Sequence, residues 1–419
     1  MQSPLRCLCE ALRLSGENKH SLHFIFLVSG YNVAIALTIP KIKAGTKVEP
    51  RDNNTHTIGC SRRAFLSTAL AAPLMAAEAS SLFQSTSPSG AAVKIVCVFG
   101  CGSGALGGPA REAMLIEPFG VAFDKTGDWY ICEYKGQRIT RVDPKGAISL
   151  FAGKDQADSL TAEGSLAREL RFKDPHAVVI SRDQQMYIAD TMNHRLIKID
   201  LKTGRAATIA GTGQPDYSGD GGLAVNAAFN QLYAVDINPA GDKLYITDLR
   251  NRRIRLLDLK TGKVNTIAGN GEKGVPDDGA DAAKSPLVDP RAAAIDSKGN
   301  LYILERGGNA LRVVDKNGKI RTVIAPGSKV DKDLNGPKHL CFDRQDNVII
   351  ADSENHLIRR CNPKDGTMVT IAGTGEKGDR LVPDDPLKTQ LNRPHGVYLH
   401  ASGALYISDS DNNRILKLG

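Results

Sequence analysis

Two histidines, His176 and His395, each follow a proline, and Arg291 and Lys338 follow a proline at equivalent positions elsewhere in the chain. Neutral imidazoles can ligate a metal ion, whereas guanidinium and ammonium groups bind anions through charge and hydrogen bonds. The six residues at equivalent repeat positions are Phe119, His176, Tyr233, Arg291, Lys338 and His395. This aromatic and basic set predicts a site for an anionic or polar ligand; the alternative is a channel lined by assorted polar side chains and water.

Six acids recur at a nearly constant spacing and offer a second kind of chemistry. They are Glu133, Asp190, Asp248, Glu305, Asp352 and Asp409, separated by 57, 58, 57, 47 and 57 residues. In four repeats Asn follows the acid by three positions, and in three of those four Arg follows the acid by five, as Arg195, Arg253 and Arg414. A ring of metal-binding carboxylates is one interpretation, but a feature of every repeat suits a repeated structural role better. We therefore expect each acid to anchor its loop by accepting N–H groups from residues just ahead.

The repeating unit must place these side chains, and its pattern predicts strands. Short runs rich in Val, Ile, Tyr and Phe alternate with turns of Gly, Asp, Asn and Pro, four runs to a repeat. Six copies of a four-stranded antiparallel unit predict an all-β fold, a six-bladed β-propeller whose innermost strands line a central channel.

The segment MYIADTMNHRLIKID, residues 186–200, with the TIAGTG that follows it, resembles the blades of the NHL repeat family. This resemblance covers residues 93–419, and the fourth copy, around Glu305, is the weakest. The last repeat ends one strand short at Gly419, and residues 94–102 match the missing outer strand. We therefore expect an N-terminal strand to complete the last blade and close the ring.

The Pro-His steps are similar to those with which the peptidyl-hydroxyglycine lyase domain, a related six-bladed propeller, supplies channel histidines to zinc. The resemblance implies three histidines from alternate blades, and His176 and His395 are the candidate ligands here. The fourth blade has Arg291 instead, and His339 is one residue out of step in the fifth blade. A charged guanidinium cannot ligate a cation, so this metal site is incomplete.

The first ninety residues have a different composition. Residues 60–66, CSRRAFL, precede a small-residue apolar stretch, which predicts a bacterial twin-arginine export signal over residues 58–79 and a linker over 80–92. Residues 1–57 are expected to form no folded domain; they are a mis-assigned start or an extension, and an apolar run from Leu22 is an alternative membrane anchor. This signal predicts that the protein is bacterial and is located in the periplasm or outside the cell.

The net charge limits the class of partner that the sequence predicts. Residues 80–419 retain 45 of the 54 Lys and Arg and 41 of the 46 Asp and Glu, so their net charge is +4 against +8 for the whole chain. Such a modest charge, without a basic tract, argues against nucleic acid as a partner.

The five remaining cysteines are Cys97, Cys101, Cys132, Cys341 and Cys361. A bridge at Cys97 or Cys101 is an alternative to free buried thiols.

Two classes of function remain open. The first is a non-catalytic scaffold that binds a protein, peptide or envelope glycan through its loop face and channel mouth, without a cofactor, and we expect it to be monomeric. The second is a metal-dependent lyase or hydrolase of a small molecule at the central channel. Asp277, Asp278, Asp384 and Asp385 in long loops are candidates for calcium, but they lack the alternating ligands of a calcium loop. Because no nucleophile motif, phosphate loop or complete metal triad is present, the sequence favours binding.

Overall fold

The computed structural model describes residues 93–153, 164–328 and 330–419, which form six four-stranded antiparallel sheets. These sheets confirm the predicted all-β, six-bladed propeller. The predicted export signal, its linker and the N-terminal extension lie outside the described residues.

The blades follow one another along the chain, and the first strand, β1 (Ile95–Phe99), belongs to the last blade. Blade 1 contains β2 (Pro118–Phe123), β3 (Trp129–Glu133), β4 (Arg138–Val142) and β5 (Ile148–Ala152). Blade 2 contains β6 (Pro175–Ile180), β7 (Gln185–Asp190), β8 (Arg195–Asp200) and β9 (Ala206–Ala210). Blade 3 contains β10 (Leu232–Ile237), β11 (Lys243–Asp248), β12 (Arg253–Asp258) and β13 (Val264–Ala268).

The second half of the ring repeats this order. Blade 4 contains β14 (Pro290–Ile295), β15 (Leu301–Glu305), β16 (Ala310–Val314) and β17 (Ile320–Ile324). Blade 5 contains β18 (His339–Phe342), β19 (Val348–Asp352), β20 (Leu357–Cys361) and β21 (Met368–Ala372). Blade 6 contains β22 (Gly396–Leu399), β23 (Leu405–Asp409), β24 (Arg414–Leu418) and β1. Single 3₁₀ turns occupy Ala167–Glu169, Thr191–Asn193, Ala224–Asn226, Ala282–Lys284, Ser353–Asn355, Pro386–Lys388 and Ser410–Asn412.

Burial explains the sequence pattern of each strand. The second strands β15, β19 and β23 are buried at every residue because neighbouring blades cover both faces, so they read as continuous apolar runs ending in an acid. The outer strands, such as β13, expose central residues while Val264 and Ala268 at their ends are buried. The apolar cores therefore lie between blades rather than within one sheet; one of them joins Ile95 and Leu418 of blade 6 to Ile349 and Ile358 of blade 5.

The ring closes through β1, which pairs antiparallel with β24 and places Ile95 opposite Leu418. A second contact joins the last blade to the first, because the Ser410 hydroxyl donates to the Pro118 carbonyl at 2.6 Å. Thr191 and Ser353 make the same bond to the innermost strand of the next blade. The N-terminal strand thus removes the two edges that an open ring would leave.

Another contact between blades comes from residues in the left-handed conformation that follow the second strand. The side chains of Gln137, His194, Asn309, His356 and Asn413 each accept an N–H from the loop entering the next blade, at 2.7–3.1 Å. Arg252 occupies this position in blade 3 with the same backbone conformation, but its side chain has no acceptor. The junction between blades 3 and 4 therefore lacks this bond.

Candidate functional site

All six predicted anchor acids are fully buried, and each accepts a backbone N–H from the loop that enters its own blade. The donors are Ile116, Lys173, Asn230, Val288, Asn335 and Asn392, at 2.5–2.8 Å. These donors lie 17 or 18 residues upstream. The prediction that the N–H donors come from residues shortly after the acid is therefore wrong. The donors come from the loop that enters the blade, because the antiparallel pairing of the first two strands brings that loop beside the acid.

The asparagines that follow the acids donate to the same carboxylates. Asn193, Asn251, Asn355 and Asn412 donate to Asp190, Asp248, Asp352 and Asp409 at 2.8–2.9 Å. Each asparagine also donates to a loop carbonyl, which links the loop to the carboxylate.

A guanidinium lies beside every anchor acid, but it comes from two different positions of the third strand. Arg138, Arg195 and Arg414 follow their acids by five residues, with N–O distances of 2.8 Å. Arg255, Arg312 and Arg359 follow by seven, at 3.7, 2.9 and 3.7 Å. Arg253, which aligns with Arg195, instead donates to the carbonyl of Asn251. Residues two apart in a strand share a face, so either position reaches the acid.

The acids differ in how well their charge is compensated. Burial raises the pKa of Asp248 and Asp352 to about 6, since their guanidinium partners lie 3.7 Å away. Burial also raises the pKa of Asp190 and Asp409, although a direct arginine contact opposes the effect. This set of ionic contacts lies between the loops and the blades, where it holds the loop face in place.

The six predicted mouth residues, Phe119, His176, Tyr233, Arg291, Lys338 and His395, do come together, and we call them the mouth cluster. Phe119 stacks between Tyr134 and His395, with ring centroids 4.6 and 3.7 Å away. His176 packs on Tyr233 at 4.2 Å, and the Arg291 guanidinium lies over the Tyr233 ring at 4.7 Å.

The two histidines are fixed as acceptors toward the channel. His176 Nδ1 lies 2.7 Å from the Asp174 carbonyl oxygen and His395 Nδ1 lies 3.3 Å from that of Arg393. A carbonyl only accepts, so Nδ1 carries the proton in each ring and Nε2 carries a lone pair. Burial lowers the pKa of His176 to about 3 and that of His395 well below its ordinary value. Both imidazoles are therefore neutral at physiological pH.

Lys338 is the buried cation of the cluster. Its ammonium donates to His395 Nε2 at 2.7 Å, and the residue is only 8% exposed. Burial, together with the positive charges of Arg393, Arg306 and Arg291, lowers its pKa to about 7. Among the ion pairs of the described residues, none joins Lys338 to an acid.

A layer of charged residues covers the cluster toward solvent, and we call it the rim: Arg306, Glu354 and Arg393. Glu354 bonds Arg393 at 3.0 Å and pairs with Arg306 at 3.4 Å. Arg306 Nε and Arg291 Nε are buried without a hydrogen-bond partner in the described structure. The sequence did not predict the rim, because its residues come from three separate places in the chain. Arg306 follows the second strand of blade 4, Glu354 follows the second strand of blade 5, and Arg393 lies in the loop before β22.

The mouth cluster leaves little free volume. The cavity beside Phe119, His176, Tyr233, Lys338 and His395 measures about 20 Å³, enough for roughly one water molecule. The described residues contain no group of three or more His, Cys, Asp or Glu side chains placed to hold a metal ion. Arg291 occupies the alternate-blade position and ion-pairs with Asp289 at 3.5 Å.

His339 points away from the mouth histidines, as its offset position predicts. Its Nδ1 lies 3.1 Å from the Val397 carbonyl oxygen, and its ring packs on Tyr398 with centroids 4.7 Å apart. The Tyr398 hydroxyl donates to the Phe119 carbonyl at 2.8 Å. A Cβ on Gly396 would lie 2.6 Å from that hydroxyl, so glycine is required where Tyr398 crosses the channel.

The acids of the long loops serve local contacts. Asp278 accepts the Thr322 N–H at 2.7 Å, and Asp385 accepts that of Leu387 at 3.2 Å. Asp384 ion-pairs with Lys94 at 3.0 Å, with both side chains largely exposed. These contacts account for the acids as turn and surface residues.

The cysteines divide into one pair and three thiols. Cys97 and Cys101 form a disulfide within the segment that carries β1, so the bridge joins these two residues to each other. Cys132 and Cys361 are buried thiols, and Cys341 is partly exposed on β18. Burial raises the pKa of all three thiols, which keeps them protonated.

Six four-stranded blades around a channel define the class of protein as a six-bladed β-propeller. A sequence model of the Teneurin NHL domain matches residues 223–419. NHL repeat-containing protein 2 of Gallus gallus is 24% identical over 340 residues, which cover 72% of this chain and 46% of that protein. Protein SUPPRESSOR OF QUENCHING 1, chloroplastic, of Arabidopsis thaliana is 27% identical over 252 residues, 55% of this chain and 23% of that protein. The chain is therefore similar to NHL-repeat proteins, and it spans less than half the length of these two relatives.

Solved structures show the same fold. A protein of unknown function from Bacteroides thetaiotaomicron superposes with a TM-score of 0.59 at 15% identity, covering 78% of this chain and 76% of that one. A gluconolactonase from Xanthomonas campestris gives a TM-score of 0.50 at 11% identity, covering 78% and 89%. Identities this low show the fold alone. Across the described residues, no helix has the length and apolar character that crossing a membrane requires.

Proposed function

We propose that this propeller is a non-catalytic binding protein that receives an acidic segment of a partner protein at its mouth cluster and rim. The observation that carries the proposal is Lys338, a buried amine whose pKa of about 7 leaves it partly charged at neutral pH and whose described hydrogen-bond partner is the neutral His395. A buried charge without an opposite charge costs free energy, and a bound carboxylate would remove that cost.

The surroundings of Lys338 favour an anion. Three guanidinium groups lower the pKa of Lys338 and the Glu354 carboxylate raises it, while Lys338 in turn lowers the pKa of Glu117, so cations outnumber acids in these interactions. Arg306 holds a buried Nε–H without a hydrogen bond in the described residues, and the Arg291 Nε–H has the Asp289 carboxylate at 3.5 Å as its ion-pair partner but makes no hydrogen bond to it. Arginine recognises carboxylates through paired N–H groups, so the rim supplies donors with the geometry that an acidic side chain needs.

The rigid face around this site suits a protein partner. Because the outer strand of each blade ends on the same face as the start of the next innermost strand, the long inter-blade loops surround the mouth. The buried acids, arginines and asparagines hold those loops in place. Loops fixed on a rigid scaffold form a surface for recognition at low entropic cost.

The test is isothermal titration of the protein with hexaglutamate, with hexaglutamine as the neutral probe. We expect Lys338→Met to weaken hexaglutamate binding at least tenfold, since a hydrogen bond to a charged group contributes about 1.5–3 kcal/mol. The matched control is Lys145→Met, in an exposed turn of blade 1 on the opposite face. Unchanged affinity in Lys338→Met would refute the proposal. Binding of oligogalacturonate in place of hexaglutamate would replace the protein partner with a glycan.

A metal-dependent lyase or hydrolase is the second candidate, and one observation favours it. Both Pro-His histidines hold Nδ1–H on a backbone carbonyl, which is how metal-ligating histidines are usually oriented. However, Lys338 bonds to the lone pair of His395, and Arg291 stands where a third histidine would be. Stoichiometric zinc in the purified protein, lost in His176→Ala and His395→Ala, would favour this candidate over the binding scaffold.

We further propose that the protein is exported to the periplasm or beyond. The twin-arginine motif at Arg62 and Arg63 motivates this proposal. The Cys97–Cys101 disulfide supports it, because disulfides persist in oxidising compartments. Fractionation of bacteria that produce the chain tests this proposal, with the double variant Arg62→Lys, Arg63→Lys as the control. If wild-type protein stays in the cytoplasm as much as the variant does, the result would count against export.

A further inference from the structure

The larger free volume of the channel lies on the other side of Tyr398 and His339. A chamber of about 550 Å³ is enclosed by the innermost strands β2, β6, β10, β14, β18 and β22. Most of its wall is apolar, and small residues such as Ala122, Val179 and Ala294 contribute to it. This volume and lining are typical of small-molecule sites.

The chamber is separate from the mouth cluster. Ala177, Ala234, His339 and Tyr398 line both the chamber and the small mouth cavity, so they form the wall between the two. At the opposite end the lining includes Arg182 and Pro239, which are exposed turn residues. A ligand would therefore enter from the face opposite the mouth.

Asp236 is the one acid among the described residues that line the chamber. It lies half-buried on β10, and its carboxylate accepts the backbone N–H of Ile237 and, at a long 3.4 Å, that of Ile295 in blade 4. None of the ion pairs among the described residues includes it, and burial raises its pKa to about 6. It is thus a largely ionised carboxylate in an apolar wall at neutral pH.

The repeat shows that Asp236 has no counterpart. The residues at the same strand position in the other blades are Ala122, Val179, Ala294, Cys341 and Tyr398. The anchor acids, by contrast, occur in all six blades. A carboxylate that faces the channel in a single blade is not required by the blade architecture. Because placing this charge in an apolar wall costs free energy, its presence indicates that it binds a ligand.

We propose that this chamber binds a small organic cation with an apolar body and one primary ammonium group, which pairs with Asp236. The apolar walls would cover the body, and burial of each Å² contributes about 25 cal/mol. The ammonium would supply the opposite charge that Asp236 lacks. The lining also includes Arg182, an exposed residue at the opening, and no ion pair among the described residues joins it to Asp236.

Titration with benzylamine and with neutral benzyl alcohol, followed by saturation-transfer NMR, tests this proposal. Benzene fits cavities much smaller than this one, so both probes fit the chamber. We expect benzylamine to bind the full-length chain with Kd near 1 mM, about −4.1 kcal/mol, and Asp236→Asn to weaken it at least tenfold while leaving benzyl alcohol unchanged. Equal benzylamine affinity in Asp236→Asn, or no binding to wild type, would overturn the proposal.

A second variant keeps the test decisive if Asp236→Asn does not fold. Ala294→Leu fills part of the chamber without changing its charge, so it should weaken both probes at least threefold. Unchanged binding in this variant would mean that the probes do not occupy the chamber. Lys145→Met, in an exposed turn of blade 1, is the control for loss of a charge outside the chamber, and it should bind benzylamine as wild type does; weakened binding there would refute a specific role for Asp236.

Discussion

Removing the Ile95 side chain should destabilise the whole ring, because this residue connects the first described strand to the last. Ile95 is fully buried against a core that includes Leu418, Leu405 and Leu391. Ile→Ala deletes three carbons, worth about 0.8 kcal/mol each in transfer, and the remaining cavity adds to the loss. We expect Ile95→Ala to lower the free energy of unfolding by about 3 kcal/mol. Val96→Ala, one residue later at 37% exposure, should lower it by less than about 1 kcal/mol.

Tryptophan fluorescence can follow the unfolding of this strand. Trp129 is the sole tryptophan, and its ring meets Phe99 of β1 edge to face at 5.1 Å. Urea unfolding followed by tryptophan fluorescence therefore senses the closing strand, while far-UV circular dichroism senses all blades. In Ile95→Ala we expect the fluorescence midpoint to fall at least as far as that of circular dichroism. Equal losses in Ile95→Ala and Val96→Ala would refute the view that this strand holds the ring closed.

Two further variants probe the contacts between blades and the buried acids. Asn413→Ala removes the acceptor for the Glu117 N–H, so it should cost about 1 kcal/mol in urea unfolding. Arg252→Ala is its control, because Arg252 makes no such bond, and an equal loss there would contradict the role of the acceptor. Asp352 has a folded-state pKa of about 6 against an ordinary 3.8, so its contribution to stability is full below pH 4 and is lost as pH rises through 6. Asp352→Asn should flatten the decline in unfolding free energy over this range, and parallel wild-type and variant pH profiles would show that another group causes it.

Much of the blade architecture follows from local patterns. The predicted acids end the second strands, as Asp190 ends β7 and Asp409 ends β23. Proline begins β2, β6 and β14 where the sequence places it. These features are predictable because strand ends and turns are encoded by residues a few positions apart.

The buried arginines and the contacts between blades were harder to predict. Arg255, Arg312 and Arg359 are the largest fully buried side chains, yet a charged residue in a strand ordinarily indicates an exposed face. Asn413 lies 296 residues from its partner Glu117. No local pattern reports a pairing that exists only after the ring has closed.

The six blades, the closing strand and the alignment of His176, Arg291, Lys338 and His395 at one mouth are all predictable from the repeats, because each depends on a pattern that can be counted along the chain. The bond between Lys338 and His395, the rim that covers them, and the larger chamber beyond Tyr398 beside Asp236 become visible only in the folded ring. The physical reason is that side-chain direction and free volume in a channel depend on all six blades at once, whereas a repeat describes one blade at a time.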